Sequence, residues 1–423
     1  MHTNQLGAVW ALVADYWPYL AASAAIVGFV ARGAALAWIR RPKTSPRAPG
    51  PYFTASALLS QPPPRPAYSD RMAYVLAEMS DLAYYRFEGT GGMVDEAVER
   101  ALLLDMTQYV DVRAFLDRFA AELLVGRRLS RDFLEKILDS AGFALLDVID
   151  VVETQGFVCR RDVEGEAPYL VLAFRGTEKK VSDWLTDARC VPAVQGEARV
   201  HSGFLEAFDA KKGAEGRTAK EEVQDILARP DARDDAGRPL PLFITGHSLG
   251  GALALLATRL VAPDVNGACY TFGAPRVGNY EYFRCVKTPV YRVVNSADVV
   301  PRVPPGAFMT ALCGLARALS WLLNFIPGAA SLFDRVETIL DRLHGYRHYG
   351  DLRYLSDVAE GRFQDVRLLS NPPAADRVVW AFRRMARDLF VPLKSHNMHI
   401  YRRKLWHVAN DRDRQVPAAA QSP

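Results

Sequence analysis

The chain has 423 residues, a formal net charge of +4 at pH 7, 50% hydrophobic residues and 24% charged ones. That length holds one large domain or two ordinary ones, and the small charge argues against a nucleic-acid binder. Five cysteines, odd in number and without Cys-x-x-Cys spacing, suggest neither a disulfide framework nor a zinc site and fit a reducing compartment.

Residues 6 to 39 are apolar apart from Asp15 and Arg32. Pro18 to Ile39 is the best window for a membrane helix, which needs about 20 predominantly apolar residues. Trp10, Tyr16, Trp17 and Tyr19 cluster at one end and Trp38 lies at the other, as interfacial aromatics do. Arg32 opposes spanning, because a central arginine costs roughly 2.5–3.5 kcal/mol unless its head reaches the interface. No basic stretch precedes the run and no small-residue cleavage site follows it, which argues against a cleaved signal peptide. Residues 1–41 are therefore expected to span or insert into a membrane, with an amphipathic or core-packing helix as the alternative. Arg40, Arg41 and Lys43 then place the rest of the chain on the cytoplasmic side. Residues 42–66 are proline-rich and read as a stiff, extended linker. The main domain is expected over 67–410, with a polar tail at 411–423.

From Ser69 to Phe87 the apolar residues Met72, Val75, Leu76, Met79, Leu82 and Ala83 have helical spacing, with Ser69 or Asp70 as cap. Two or three further helices are expected between Asp95 and Leu138. Strands are expected at Phe143 to Val152, Gly156 to Arg161 and Tyr169 to Phe174, and, after the polar stretch Lys211 to Arg238, at Leu242 to Thr245, Ala268 to Phe272 and Val290 to Val294. Strands alternating with helices indicate a mainly parallel central sheet flanked by helices, an α/β class.

The strand at Leu242 runs into Gly246-His247-Ser248-Leu249-Gly250 and then an Ala/Leu-rich helical run from Gly251 to Ala262. Strand, sharp turn and helix is the context in which Gly-x-Ser-x-Gly forms a nucleophile elbow. A serine in that strained turn needs small neighbours, which Gly246 and Gly250 supply. The following helix then directs its free N–H groups at the reacting centre.

A serine hydroxyl needs a base, and in an elbow fold the acid and the histidine follow the serine in the chain. Asp298 lies just past the strand Val290 to Val294, where the acid is required. Among the eight histidines, His344, His348, His396, His399 and His407 follow the serine and the acid, and spacing alone does not choose among them. The oxyanion hole needs the N–H of Leu249 and a donor from the loop after an early strand, here Arg175-Gly176-Thr177.

Several blocks resemble the class 3 lipases, the fungal triacylglycerol lipase type with an α/β-hydrolase fold. They are Phe174 to Thr177 with Asp183 to Asp187, Val200 to Phe204, Gly246 to Gly250, Thr271 to Asn279 and Asn295 to Pro304. The resemblance covers roughly Ser69 to Leu405. It implies Asp298 as the catalytic acid and Thr177 as the second oxyanion donor. It implies His396, in His396-Asn-Met-His-Ile-Tyr401, as the base, with His348 of Tyr346-Arg-His-Tyr-Gly350 as runner-up.

The chain departs from compact family members in an apolar block at 305–345, which reads as two helices joined at Pro327-Gly328. It is expected either to dock on a membrane near the active site or to fill an enlarged core. Residues 374–389 form a basic amphipathic pattern of similar ambiguity. The expected activity is hydrolysis of lipid esters, acylglycerols first, through a Ser248-Asp298-His396 triad without cofactor or metal. A phospholipase or short-chain esterase is the alternative, and an inactive hydrolase fold serving as a membrane-bound binding module is the reading from another class.

Overall fold

The computed structural model describes residues 52–55, 58–59, 67–84, 131–152, 154–176, 192–211, 216–296, 298–304, 345–358, 362–373, 376–377, 379–380 and 395–415. The expected membrane segment 1–41 lies outside these residues, as do residues 95–130 of the helices expected between Asp95 and Leu138, Thr177, nearly all of the insertion 305–345 and most of 374–389, while residues 131–138 are helical. Among the described residues, no helix is long and apolar enough to cross a membrane.

Eight strands form one sheet in the order β1 (Phe143–Val151), β2 (Thr154–Arg161), β3 (Tyr169–Phe174), β6 (Leu242–His247), β7 (Gly267–Phe272), β8 (Val290–Asn295), β9 (Asp351–Leu355) and β10 (Leu368–Ser370). A separate ribbon pairs β4 (Pro192–Gln195) with β5 (Ala198–His201). The strands β3, β6, β7, β8 and β9 are parallel, while β1 and β2 at one edge and β10 at the other are antiparallel. The central sheet is thus mainly parallel, as the alternation of strands and helices implies.

Parallel strands buried on both faces alternate their side chains between two cores. Tyr169, Val171 and Ala173 of β3 enter one core with Phe243, Tyr270 and Phe272. Leu170, Leu172 and Phe174 enter the other with Leu242, Ile244 and Cys269. The first core is closed by α1 (Asp70–Leu82) and α6 (Met398–Gln415), through Met72, Leu76 and Met79 of α1 and Met398, Tyr401 and Leu405 of α6. The second is closed by α2 (Ser202–Asp209), α3 (Ala219–Ala228), α4 (Leu249–Leu260) and the short α5 (Tyr280–Phe283). Each fully buried large apolar side chain contributes roughly 1.5–3 kcal/mol.

Three local features tie α1 into place. The Ser69 hydroxyl accepts the Met72 N–H, and the Ser69 N–H donates to the Tyr270 hydroxyl. Ser80 Oγ and Thr245 Oγ1 share a hydrogen bond of 2.8 Å, which joins α1 to β6 just ahead of the elbow. Arg402 of α6 bridges Glu78 and, at 2.6 Å, Asp81 of α1.

Several expected boundaries shift. Phe53, Leu58 and Leu59, inside the expected linker 42–66, are buried in the α1 core, so packed structure begins before residue 67. The helix expected from Ser69 to Phe87 ends at Leu82. The polar stretch Lys211 to Arg238 contains α3, started by a capping box between Thr218 and Glu221. The first residues of the expected tail 411–423 continue α6 to Gln415.

Candidate active site

Ser248 stands between β6 and α4 with φ 58° and ψ −125°, a backbone conformation rarely adopted by a residue with a side chain. The small neighbours are a steric requirement. A Cβ on Gly246 would lie 2.2 Å from the Gly250 carbonyl oxygen, and one on Gly250 would lie 2.4 Å from that of Phe174. The Ser248 N–H donates to Phe272 O at 2.9 Å, which holds the turn against the end of β7. Leu249 opens α4, so its N–H belongs to the unsatisfied first turn of the helix.

The structure brings Ser248, Asp298 and His396 together although they are far apart in the chain. His396 Nε2 lies 2.8 Å from Ser248 Oγ, and His396 Nδ1 lies 3.0 Å from each carboxylate oxygen of Asp298. An ionised carboxylate only accepts, so Nδ1 carries the hydrogen and Nε2 is left to accept the serine proton. Asp298 is fully buried. Its burial is compensated by the Val300 N–H on Oδ1 at 3.0 Å and the Tyr401 hydroxyl on Oδ2 at 2.6 Å. Burial and the Asp298 charge push the Tyr401 hydroxyl well above its ordinary range, which keeps it a neutral donor.

The backbone of His396 is gripped from two sides. The Ser395 carbonyl accepts from Asn295 Nδ2 at 2.7 Å. Asn295 Oδ1 accepts from the buried Lys404 ammonium at 2.7 Å, and Lys404 also donates to Ser356 O at 2.7 Å. The His396 carbonyl accepts from His247 Nε2 at 2.8 Å. A carbonyl cannot donate, so His247 carries its hydrogen on Nε2, and Nδ1 accepts from the Tyr84 hydroxyl at 2.7 Å. The His247 ring also packs on that of His396 at 4.6 Å between centroids. Sequence reasoning gave none of Tyr84, His247, Asn295, Tyr401 and Lys404 a role. Three of them lay in motifs it singled out: His247 in the elbow, Asn295 at the start of the Asn295 to Pro304 block and Tyr401 at the end of the His396 block.

His348, His201 and His399 are placed elsewhere, and His344 lies outside the described residues. His348 Nε2 donates to Pro301 O at 2.6 Å, behind the acid turn. Burial and the nearby Arg292 and Arg276 push its pKa well below the ordinary histidine value. The runner-up therefore faces the backbone of the acid turn and is not brought to Ser248. His201 stacks on Phe204 at 4.1 Å, and His399 is exposed. Of the expected oxyanion residues, Leu249 is the first residue of α4 and Thr177 lies outside the described residues. Gly176 just before it packs tightly, since a Cβ there would lie 2.2 Å from the Tyr84 hydroxyl and 2.4 Å from the His247 carbonyl oxygen. Among the described residues, no three or more His, Cys, Asp or Glu side chains gather as metal ligands would.

The arrangement holds a hydroxyl nucleophile, an oriented base, a buried acid and a helix N-terminus around one point, as acyl transfer requires. Known proteins share this region. The class 3 lipase pattern matches residues 171–308. A lipase of Rhizomucor miehei is 33% identical over 174 residues, 37% of this chain and 43% of that one. An Arabidopsis thaliana protein named phospholipase A1-Igamma1, chloroplastic, is 33% identical over 193 residues, 37% of this chain and 36% of that one. The solved structure of the native Rhizomucor miehei lipase propeptide complex, 22% identical, covers 55% of this chain and 62% of that one with a TM-score of 0.36. The chain spans less than half the length of either of these two relatives. Residues 171–308, which contain the elbow and Asp298, are similar to the class 3 lipase family.

Proposed function

We propose that the chain hydrolyses carboxylic esters of lipids, acylglycerols first, through Ser248, His396 and Asp298. The observation that carries this reading is the continuous path from Ser248 Oγ through the His396 ring to the Asp298 carboxylate. His396 Nε2 takes the hydroxyl proton as Ser248 Oγ attacks the ester carbonyl. Asp298 stabilises the imidazolium and holds its orientation. The Leu249 N–H, with Thr177 as its proposed companion, receives the oxyanion. Collapse of the tetrahedral intermediate breaks the ester C–O bond, and the imidazolium protonates the departing alcohol. Water, deprotonated by the same imidazole, then releases the fatty acid from the acyl-serine.

A phospholipid as acyl donor is the second reading, favoured by the similarity to the protein named phospholipase A1. The triad performs the same chemistry on either ester. The test is hydrolysis of a chain-length series of acyl esters, acylglycerols and phosphatidylcholine by wild type, Ser248→Ala, His396→Ala and His348→Ala. The first two substitutions should each lower kcat by at least about a thousandfold, as for triad members. His348→Ala should stay active. An inactive wild type that also resists a fluorophosphonate probe at Ser248 would leave the binding-module reading standing.

We also propose that residues 1–41 attach the protein to a membrane with the hydrolase region on the cytoplasmic side, supported by the apolar run and the following Arg40, Arg41 and Lys43. Alkaline extraction of membranes should leave the full chain bound and release one lacking residues 1–41.

A further inference from the structure

The loop that follows β7 supports both the nucleophile and the acid. Phe272 O accepts the Ser248 N–H at 2.9 Å, and the Gly273 N–H donates to Val293 O of β8 at 3.0 Å. Ala274 packs against the elbow helix, where a Cβ added at Gly251 would lie 2.7 Å from that of Ala274. Arg276, two residues on, turns to the segment behind Asp298. Its backbone N–H donates to Val303 O at 2.8 Å. Its Nη1 donates to the carbonyls of Arg302 and, at 2.5 Å, Pro304. One residue thus holds the consecutive carbonyls of 302, 303 and 304. His348 holds the carbonyl before them, donating to Pro301 O at 2.6 Å. Its own segment is tied to the same loop, since the Arg347 N–H donates to Gly278 O at 2.8 Å.

The held carbonyls belong to the turn that sets the carboxylate. Val300–Arg302 form one 3-10 turn, closed by the Arg302 N–H on Val299 O at 2.9 Å and the Val303 N–H on Val300 O at 3.1 Å. The Val300 N–H donates to Asp298 Oδ1 at 3.0 Å. The same oxygen lies 3.0 Å from His396 Nδ1. A path of hydrogen bonds and rigid backbone therefore runs from the Arg276 guanidinium through the turn to the base. The other donor to the carboxylate, Tyr401, comes from α6. Arg276 instead refers the acid to the elbow, because it lies in the loop whose first carbonyl holds Ser248. A guanidinium suits this work. Its donors are fixed in one plane, and a charged donor binds a carbonyl more strongly than a neutral one.

We propose that Arg276 is a positioning residue for the catalytic acid, fixing the Asp298 turn relative to the Ser248 elbow. The inference rests on the Ser248-His396-Asp298 reading of the site. Among the described residues Arg276 makes no hydrogen bond to Ser248, Asp298 or His396, so it acts through the backbone it holds.

The test is steady-state hydrolysis of a soluble p-nitrophenyl ester by the full chain in detergent, comparing Arg276→Met and Arg276→Lys, each alone and combined with Asp298→Asn. The low-field proton NMR resonance of His396 Nδ1–H, assigned by its loss in His396→Ala, is read on the same samples. Arg276→Met keeps the stem and removes the donors. It should lower kcat about ten- to a hundredfold with KM changed less than about twofold, since misplacement by about an ångström costs roughly a hundredfold. Arg276→Lys keeps the charge and loses the fork, and should cost about three- to tenfold. In the Asp298→Asn background neither should cost more than about twofold, because an effect carried by the carboxylate vanishes with it. A general loss of stability would lower both backgrounds alike. The low-field resonance should shift or broaden in both Arg276 variants. A wild type without esterase activity would remove the hydrolase reading, and the resonance alone would then decide on Arg276. A folded Arg276→Met with wild-type kcat and an unmoved resonance, or with an equal loss in the Asp298→Asn background, overturns the proposal. Where Arg276→Met does not fold, Arg276→Lys decides by the same readouts.

Discussion

Tyr401 donates its hydroxyl to Asp298 Oδ2 at 2.6 Å, and its oxygen accepts the Asn295 N–H at 2.9 Å. One buried hydroxyl thus links α6, which follows the histidine, to the strand that delivers the acid. Tyr401→Phe removes the donor and leaves a buried N–H unpaired. The expected loss is about 1.5–3 kcal/mol of stability, as for a hydrogen bond to a charged group, with a fall in kcat of about ten- to a hundredfold. Denaturant unfolding and steady-state kinetics on one soluble ester check both numbers.

Asn295 gives a second test of the support around the base. Asn295→Ala removes the grip on the Ser395 carbonyl and strips the buried Lys404 ammonium of an acceptor. The expected outcome is a destabilisation of about 2–4 kcal/mol, from one lost grip and one under-solvated charge. The activity loss should appear in kcat with little change in KM. A KM effect alone would argue that Asn295 lines the substrate path instead.

Gly273 closes the acid-base pair from beneath, with φ at +57°. A Cβ there would lie 2.7 Å from Asp298 Oδ2, 3.0 Å from the Tyr401 hydroxyl and 3.2 Å from His396 Nδ1. Gly273→Ala should therefore displace the imidazole, and misplacement of about an ångström costs roughly a hundredfold in rate. Far-UV circular dichroism should show the fold retained while activity collapses.

Tyr84 acts through His247. The Tyr84 hydroxyl on Nδ1 favours the His247 tautomer that donates to the His396 carbonyl. Tyr84→Phe should lower kcat by about tenfold, the worth of one neutral hydrogen bond. Tyr84→Leu should lower it further, because the ring packing on His247 at 5.8 Å is lost as well. Equal rates for both variants and wild type would remove Tyr84 from the support of the base.

The Glu78, Asp81 and Arg402 cluster makes stability depend on pH. Burial pushes Glu78 up from 4.5 to about 7. Between those values the folded chain holds a proton that the unfolded chain has released, so this group's contribution falls as pH rises through the window. His201, pushed down from 6.5 to about 4 by burial, acts in the opposite sense and loses stability as pH falls. Comparing Tm against pH for wild type and Glu78→Gln isolates the glutamate. The wild type should lose stability relative to the variant from pH 5 to pH 8, and parallel curves would contradict the assignment.

Much of the parallel sheet is legible in the residues alone, because the runs at Tyr169, Leu242, Ala268 and Val290 are apolar, short and bounded by turn residues. The last sheet strands, β9 and β10, are not. Asp-Leu-Arg-Tyr-Leu and Leu-Leu-Ser carry too few residues for a pattern, and they are strands only because β8 offers an edge for β9 and β9 one for β10. The helix α6 is equally hard to read. Its buried stripe Met398, Tyr401, Leu405 and Val408 is diluted by charged residues that face α1 and solvent.

The same division runs through the site. The sequence by itself determined the elbow, since Gly246, Ser248 and Gly250 are neighbours and their constraint is local sterics. It also determined that Asp298 follows a strand end. Which histidine meets the serine was decided by tertiary structure. Five candidates follow Ser248, and only the docking of α6 on α1, through buried apolar contacts and Arg402, delivers His396 to it.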